Sequence, residues 1–194
     1  MTEPHTSLPL DPHAEAAPPA RRGTEVQPID LTPEGPSIHA TCISLHGVGL
    51  LLRGPSGLGK SDLALRLIDG GATLVADDRT LLSTALTAGG PILVASPPPG
   101  LAGLLEVRGL GLVRLPHQSL CPVHMVVDVL PPDDKPERLP DPDTEVFLGV
   151  TLPRWCLNAL EPSAPAKVRL AVRILTERSP KLLAPPDPVP AAPV

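Results

Sequence analysis

Runs of apolar residues along the 194-residue chain predict a sheet of several strands together with two helices. Ile38–Leu45 and Val48–Arg53 are consecutive predicted strands, and the apolar run of the second is expected for a strand covered on both faces. Leucines recur at helical spacing in Lys60–Asp69, which is followed by two glycines, and Pro165–Arg178 is also predicted to be helical. The remaining predicted strands are Ala72–Ala76, two strands within Thr80–Ser96, Val123–Leu130 and Val146–Pro153.

Two other segments have a less regular pattern. Leu104–Val107 and Leu110–Leu115 flank Gly109, and they fit either one bent strand or a strand followed by a turn. Pro131–Pro142 is rich in Pro and Asp, which predicts a surface loop. Strands interspersed with helices place the domain in the α/β class.

Proline is concentrated at the two ends of the chain. Of the 29 prolines, 14 lie in residues 1–36 and 180–194, where no apolar period is present. Such segments bury too little apolar surface to offset the entropy of ordering. We therefore predict one compact domain over residues 37–179, between two disordered Pro-rich tails.

The charge and the cysteines exclude several classes of protein. A net charge of −5, with one Phe, one Trp and no Tyr, argues against binding nucleic acid through phosphate neutralisation or base stacking. No apolar run is long enough to span a membrane, and the N-terminus does not resemble a secretory signal. Three cysteines without CxxC spacing favour a reducing, cytoplasmic location.

The segment between the second predicted strand and the first predicted helix matches the P-loop pattern G-x-x-x-x-G-K-[ST]. Glycines let the backbone direct N–H groups at phosphate oxygens, and the N-terminus of the helix attracts the same anion. Lys60 is predicted to reach the β- and γ-phosphates, and Ser61 to bind Mg²⁺. The alternative is a glycine turn with an incidental lysine. The predicted nucleotide-binding residues are Gly54, Pro55, Ser56, Gly57, Leu58, Gly59, Lys60 and Ser61.

Other charged residues have weaker local signals. Asp77 and Asp78 end a predicted strand, where ligands of parallel α/β sheets bind, so one carboxylate could hold Mg²⁺ and the other act as a general base. They also fit a solvated strand end. Taken alone, His39 fits a core histidine, and Glu106 and Arg108 fit ordinary strand charges.

Taken together, these motifs resemble the HPr kinase/phosphorylase family. The resemblance is carried by Ser37–Ala40, Gly54–Ser61, Val75–Arg79 and Leu105–Val113, above all by the Leu-Glu-Val-Arg-Gly-Leu-Gly stretch. It implies a P-loop kinase domain related to phosphoenolpyruvate carboxykinase, with a mixed sheet and flanking helices. It also implies a homohexameric enzyme that phosphorylates a serine of the phosphocarrier HPr with ATP or pyrophosphate, and that removes this phosphate by phosphorolysis.

The resemblance also implies roles for individual residues. Asp77 would be the base, with His39 beside it, and Arg108 would stabilise the transferring phosphate. Ser61, Asp78 and Glu106 would hold Mg²⁺, and Lys60 would hold nucleotide phosphates.

Two departures from the family pattern affect these expectations. Full-length members carry an additional N-terminal domain, so the short proteobacterial form is the better match. The family's mobile C-terminal loop corresponds to Glu161–Lys167, in which Lys167 is the best counterpart of its arginine. The alternatives left open are a small-molecule P-loop kinase and a nucleotide-binding regulator without catalysis.

Overall fold

The computed structural model describes residues 30–32 and 35–177, with side chains from residue 36 onward. Most of the first predicted Pro-rich tail and all of the second lie outside the described residues, as does Arg178 of the second predicted helix. The elements in chain order are β1 (Asp30–Thr32), β2 (Gly35–Ile38), β3 (Ala40–Leu45), β4 (Val48–Arg53), α1 (Lys60–Asp69), β5 (Thr73–Ala76), β6 (Thr80–Thr87), β7 (Gly90–Ser96), β8 (Leu104–Val107), β9 (Gly111–Arg114), β10 (Cys121–Val129), β11 (Asp143–Phe147), β12 (Val150–Leu157) and α2 (Ala164–Glu177).

Ten of these strands form one mixed sheet. Its main path runs β1-β2-β6-β7-β10-β4-β3-β5, and β12 pairs with both β10 and β11. The strand β10 is parallel to β4 and to β12, whereas the other pairs in this sheet are antiparallel. The predicted α/β class with a mixed sheet is confirmed.

Strand β4 lies in the interior of this sheet and contributes to both of its faces. Leu50 and Leu52 pack with Leu63 and Leu67 of α1, whereas Leu51 packs on the opposite face with Cys42 of β3. Because side chains alternate across a strand, a strand covered on both faces must be apolar at every position. This explains the continuous apolar run that the sequence shows.

Two strand predictions require correction. The predicted strand Ile38–Leu45 is divided at His39, so that Ile38 ends β2 and β3 begins at Ala40. The predicted strand Val146–Pro153 is in fact parts of two antiparallel strands, β11 and β12. The turn between them contains Leu148 at φ 49° and Gly149 at φ 81°. Leucine rarely adopts a positive φ, so its presence gave no turn signal.

The segment around Gly109 and the start of the domain also differ from expectation. Strands β8 and β9 form a separate two-stranded antiparallel hairpin, neither one bent strand nor a strand with a turn alone. Strands β1 and β2 are paired antiparallel, so regular structure in the described residues begins before Ser37.

Candidate functional site

The P-loop connects the end of β4 to the start of α1, as the motif predicts. Gly54 has φ 144°, and a Cβ atom placed on it would lie 2.7 Å from the carbonyl oxygen of Val129 in β10. The loop therefore requires glycine here for both backbone conformation and close packing. Residues Pro55–Gly57 at the tip of the loop are exposed, so the backbone that would hold phosphate is open to solvent.

Lys60 is held within the P-loop by the backbone. Its Nζ atom donates to the carbonyl oxygens of Gly54 at 2.8 Å and Pro55 at 3.0 Å, and the residue is 6% exposed. Burial lowers the pKa of Lys60, against the opposing charges of Asp78 and Asp77. The ammonium group is therefore positioned by neutral acceptors beside the loop.

Asp77 is the point at which three parts of the chain meet. Its Oδ1 atom accepts hydrogen bonds from Ser61 Oγ at 2.9 Å and Thr41 Oγ1 at 2.7 Å. Its Oδ2 atom accepts from the backbone N–H of Glu106 at 3.2 Å. The residue is buried, and these bonds fix the carboxylate against the start of α1.

Asp78 has a different environment from its neighbour. It has φ 63°, and its side chain is 71% exposed, with Oδ1 lying 3.7 Å from Nδ1 of His39. The resemblance places His39 beside Asp77, and the carboxylate that the structure shows next to its imidazole is that of Asp78, a contact that is an ion pair only when His39 is protonated. Burial lowers the pKa of His39, the charge of Lys60 adds to this shift, and Asp78 and Asp77 oppose it.

The remaining predicted site residues are less closely connected to this cluster. Glu106 reaches Asp77 through its backbone, while its side chain is exposed. Arg108 is exposed at the start of the turn between β8 and β9. Lys167 lies on α2, where its Nζ atom bonds to Oε2 of Glu161. The structure thus brings together His39, Lys60, Ser61, Asp77 and Asp78, and it does not show Arg108 or Lys167 in contact with them.

The sequence reasoning missed Thr41, which lies on β3 and donates to Asp77. Its position 36 residues before Asp77 carries no motif, so only the pairing of β3 with β5 reveals the contact. It also missed a buried ion network beside the P-loop, in which Arg53 donates to Asp128 from Nε at 2.7 Å and from Nη2 at 3.0 Å. The same guanidinium group donates to both carboxylate oxygens of Glu145.

The donors in the site suit a metal that is held partly by phosphate. In the described part of the chain, no group of three or more His, Cys, Asp or Glu side chains is placed to hold a metal ion. Mg²⁺ commonly takes one or two protein carboxylates and completes its shell with phosphate oxygens and water. The Ser61 hydroxyl, together with one carboxylate of the Asp77-Asp78 pair, fits that kind of site.

The fold and this cluster define a P-loop domain of the α/β class, with a phosphate-binding loop beside a buried carboxylate. Residues 31–118 match the family model described as the HPr Serine kinase C-terminal domain. The predicted resemblance is confirmed, because this stretch of the chain is similar to the C-terminal domain of HPr serine kinases.

Named relatives agree with this family. The chain is 41% identical over 134 residues to the HPr kinase/phosphorylase of Bordetella pertussis. The aligned region makes up 63% of this chain and 42% of that relative. It is also 39% identical over 99 residues to the HPr kinase/phosphorylase of Clostridium tetani, and this aligned region makes up 51% of this chain and 30% of that relative. The chain therefore spans less than half the length of these relatives.

A solved structure supports the fold. The Hpr(Ser) kinase/phosphatase from Coxiella burnetii superposes with a TM-score of 0.63 at 24% sequence identity, covering 75% of this chain and 93% of that chain. Neither helix in the described residues is long and apolar enough to cross a membrane.

Proposed function

We propose that the protein is an ATP-dependent protein-serine kinase that phosphorylates an HPr-like phosphocarrier. The observation that carries the proposal is the convergence on Asp77 of the P-loop serine, strand β3 and the Glu106 backbone. These hydrogen bonds join the P-loop, the Asp-Asp pair and the Leu105–Gly111 stretch, three of the motifs that carry the family resemblance. The names of the relatives support the same activity.

The phosphates of the donor would bind to the P-loop. Backbone N–H groups of the exposed loop and the N-terminus of α1 attract the phosphate oxygens. Lys60 would exchange its two carbonyl partners for phosphate oxygens, which form stronger, charge-assisted bonds. Most of the catalysis in phosphoryl transfer comes from such positioning and charge neutralisation.

The acceptor serine would lose its proton to Asp77. The serine oxygen then bonds to the γ-phosphorus, the bond from this phosphorus to the β-phosphate oxygen breaks, and ADP leaves. Arg108 would stabilise charge on the transferred group. Ser61, Asp78 and Glu106 would hold Mg²⁺, and the ion when bound would neutralise phosphate charge.

The different exposures of the two carboxylates favour a second assignment of the base. Asp77 already accepts three hydrogen bonds, whereas Asp78 is largely exposed and next to His39. In this assignment Asp78 takes the serine proton, and Asp77 orients Ser61 on the metal side. Separate Asn variants of the two residues distinguish the assignments.

We also propose the reverse reaction for this site. Inorganic phosphate would attack the phosphoserine phosphorus, the serine oxygen would leave and take up a proton, and pyrophosphate would form. Lys167 is the proposed cation of the C-terminal loop in this direction. Assembly as a homohexamer and a cytoplasmic location are further proposals that rest on the family.

The test is transfer of labelled phosphate from ATP to HPr-like carriers of the same organism, in the presence of Mg²⁺. We expect phosphoserine on one carrier, and release of pyrophosphate when phosphate is added to the phosphorylated product. A lack of phosphoserine on every carrier, with an active control kinase, would contradict the proposal. Faster turnover with a metabolite would favour a small-molecule kinase, and ATP binding without turnover would favour a regulator.

A further inference from the structure

The turn that joins β12 to α2 packs directly against the P-loop. A Cβ atom placed on Gly59 would lie 2.8 Å from Cδ2 of Leu160 and 3.5 Å from Cβ of Ala159. Gly59 immediately precedes Lys60, so Leu160 lies beside the residues that would hold phosphate. This places an aliphatic side chain at the margin of the phosphate site.

Hydrogen bonds hold this turn to α1. Arg66 donates from Nη2 to the carbonyl oxygen of Ala159 and from Nη1 to that of Glu161 at 3.3 Å. Arg66 is on the same helix as Lys60 and Ser61, so the turn and the phosphate site share one support.

Asn158 anchors the same turn from its other side. Its Oδ1 atom accepts from the backbone N–H of Leu160 at 3.0 Å, and its Nδ2 atom donates to the carbonyl oxygen of Pro132 at 3.3 Å. The segment after β12 is therefore joined to the segment after β10. The position of Leu160 is fixed from both directions.

Leu160 is nevertheless 53% exposed. An apolar side chain that is held in place but remains half open to water has surface that a ligand can cover. The parallel strands β4, β10 and β12 all end on this side of the domain, where ligands of α/β sheets bind. The P-loop follows β4, and the Leu160 turn follows β12.

The chain offers little else for an aromatic base to contact. It contains one Phe and one Trp. Phe147 is buried, with the guanidinium group of Arg53 over its ring, and Trp155 packs against the apolar cluster between the sheet and the helices. An aliphatic surface next to the phosphate site therefore has to replace the usual aromatic one.

We propose that Leu160 and its turn bind the ribose and base of the nucleotide donor. This inference rests on the proposed nucleotide site, but it does not depend on which molecule accepts the phosphate. It predicts that Leu160 matters for ATP and not for a donor without a nucleoside. Asn158 and Arg66 are positioning residues that keep the turn in place.

The test compares the binding of MgATP and of magnesium tripolyphosphate, by calorimetry, to the full chain and to Leu160→Ala. We expect Leu160→Ala to weaken MgATP binding roughly fivefold to tenfold, and to leave tripolyphosphate binding unchanged within twofold. Leu160→Met should keep most of the affinity for ATP. The control is Leu170→Ala, because Leu170 has a similar exposure of 46% but lies on α2.

Three other binding results would overturn the inference. Equal weakening of both ligands would mean that Leu160 acts only through the shape of the P-loop. Unchanged ATP binding, or a wild-type protein that binds ATP no better than tripolyphosphate, would remove the nucleoside contact altogether. If ATP binds as expected but no carrier is phosphorylated, the proposed kinase function fails while this inference remains.

Discussion

Two charged clusters lie next to each other at the end of β4: the ion network of Arg53 and the P-loop with Lys60. They differ in the partners that their positive charges have. Arg53 directs its guanidinium group at Asp128 and Glu145, which are both largely buried. One residue later the P-loop begins, and its Lys60 donates to two neutral carbonyl groups. The first cluster is neutralised by the protein itself, whereas the second holds a positive charge that phosphate can neutralise.

The contrast separates charges that support the fold from charges that are available to a ligand. Burial acts to lower the pKa of Arg53, but the hydrogen bonds that it donates to the carboxylates of Asp128 and Glu145 raise this pKa above its usual value. Burial lowers the pKa of Lys60, and its carboxylate neighbours only partly oppose that shift. Disrupting the first cluster should therefore affect stability, and disrupting the second should affect activity.

The largest effect should come from Asp77→Asn. We expect the rate of phosphoryl transfer to fall by about 10²–10⁴-fold, because the proposed general base and the negative charge beside Ser61 are both lost, while ATP still binds. Transfer to the carrier and ATP binding are measured on the same preparation. If Asp78→Asn abolishes transfer and Asp77→Asn leaves it nearly intact, Asp78 is the base.

Asp128→Ala should reduce the stability of the fold, while the phosphoryl-transfer activity of the folded protein stays unchanged. Removing the fully buried Asp128 takes one of two carboxylate partners from Arg53 and also a partner from Arg154, which costs about 3–5 kcal/mol in the free energy of unfolding. Urea denaturation measures this change. The matched control is Asp143→Ala, because Asp143 pairs with Arg154 at an exposed position and should cost no more than about 1 kcal/mol. Similar losses in the two variants would contradict the contrast between buried and exposed partners.

Lys60→Met tests the contrast from the other side. We expect ATP affinity to fall by about 10–100-fold, since charge-assisted bonds to phosphate are lost. The free energy of unfolding should change by no more than about 1 kcal/mol, because the lost bonds to carbonyl oxygens are offset by removal of a buried charge. Arg53→Met should instead destabilise the fold clearly. If Lys60→Met lowers the free energy of unfolding as much as Arg53→Met does, both side chains support the fold and the contrast fails.

The smallest effect should come from the titration of His39. Its pKa is lowered in the fold, so below the ordinary value of 6.5 the unfolded chain takes up this proton first. The contribution of His39 to stability is therefore fully present above 6.5 and is lost as the pH falls through the folded pKa. His39→Gln should flatten this part of the stability profile, measured by denaturation between pH 7 and 5. An unchanged slope would mean that His39 does not titrate differently on folding.

The strand, P-loop and helix at the centre of the site could be predicted because their signals are local. Apolar period, glycine spacing and the Lys60-Ser61 pair all lie within one short stretch of chain. The pairing of His39 with Asp78 could not be predicted, because Asp78 adopts φ 63° and β5 ends at Ala76. Strand alternation therefore does not determine where the Asp78 side chain points.

Contacts across the sheet could not be predicted from the sequence for a related reason. In the sequence, Arg53 is simply the last residue before the P-loop. Its partners Asp128 and Glu145 lie on β10 and β11, far along the chain. The order of those strands depends on pairing that no local pattern specifies. The division of Val146–Pro153 into two strands was likewise hidden, because its turn uses a leucine at positive φ.

The pairing of β4 with β10 has a consequence for the order in which the molecule forms. Arg53 and Asp128 are 75 positions apart in the chain, so the loop between them must close before β4 gains its second neighbour. A nascent chain that ends at residue 118 would carry the complete P-loop motif without β10 to support it. We therefore expect the phosphate site to form late in synthesis, only after most of the domain has left the ribosome.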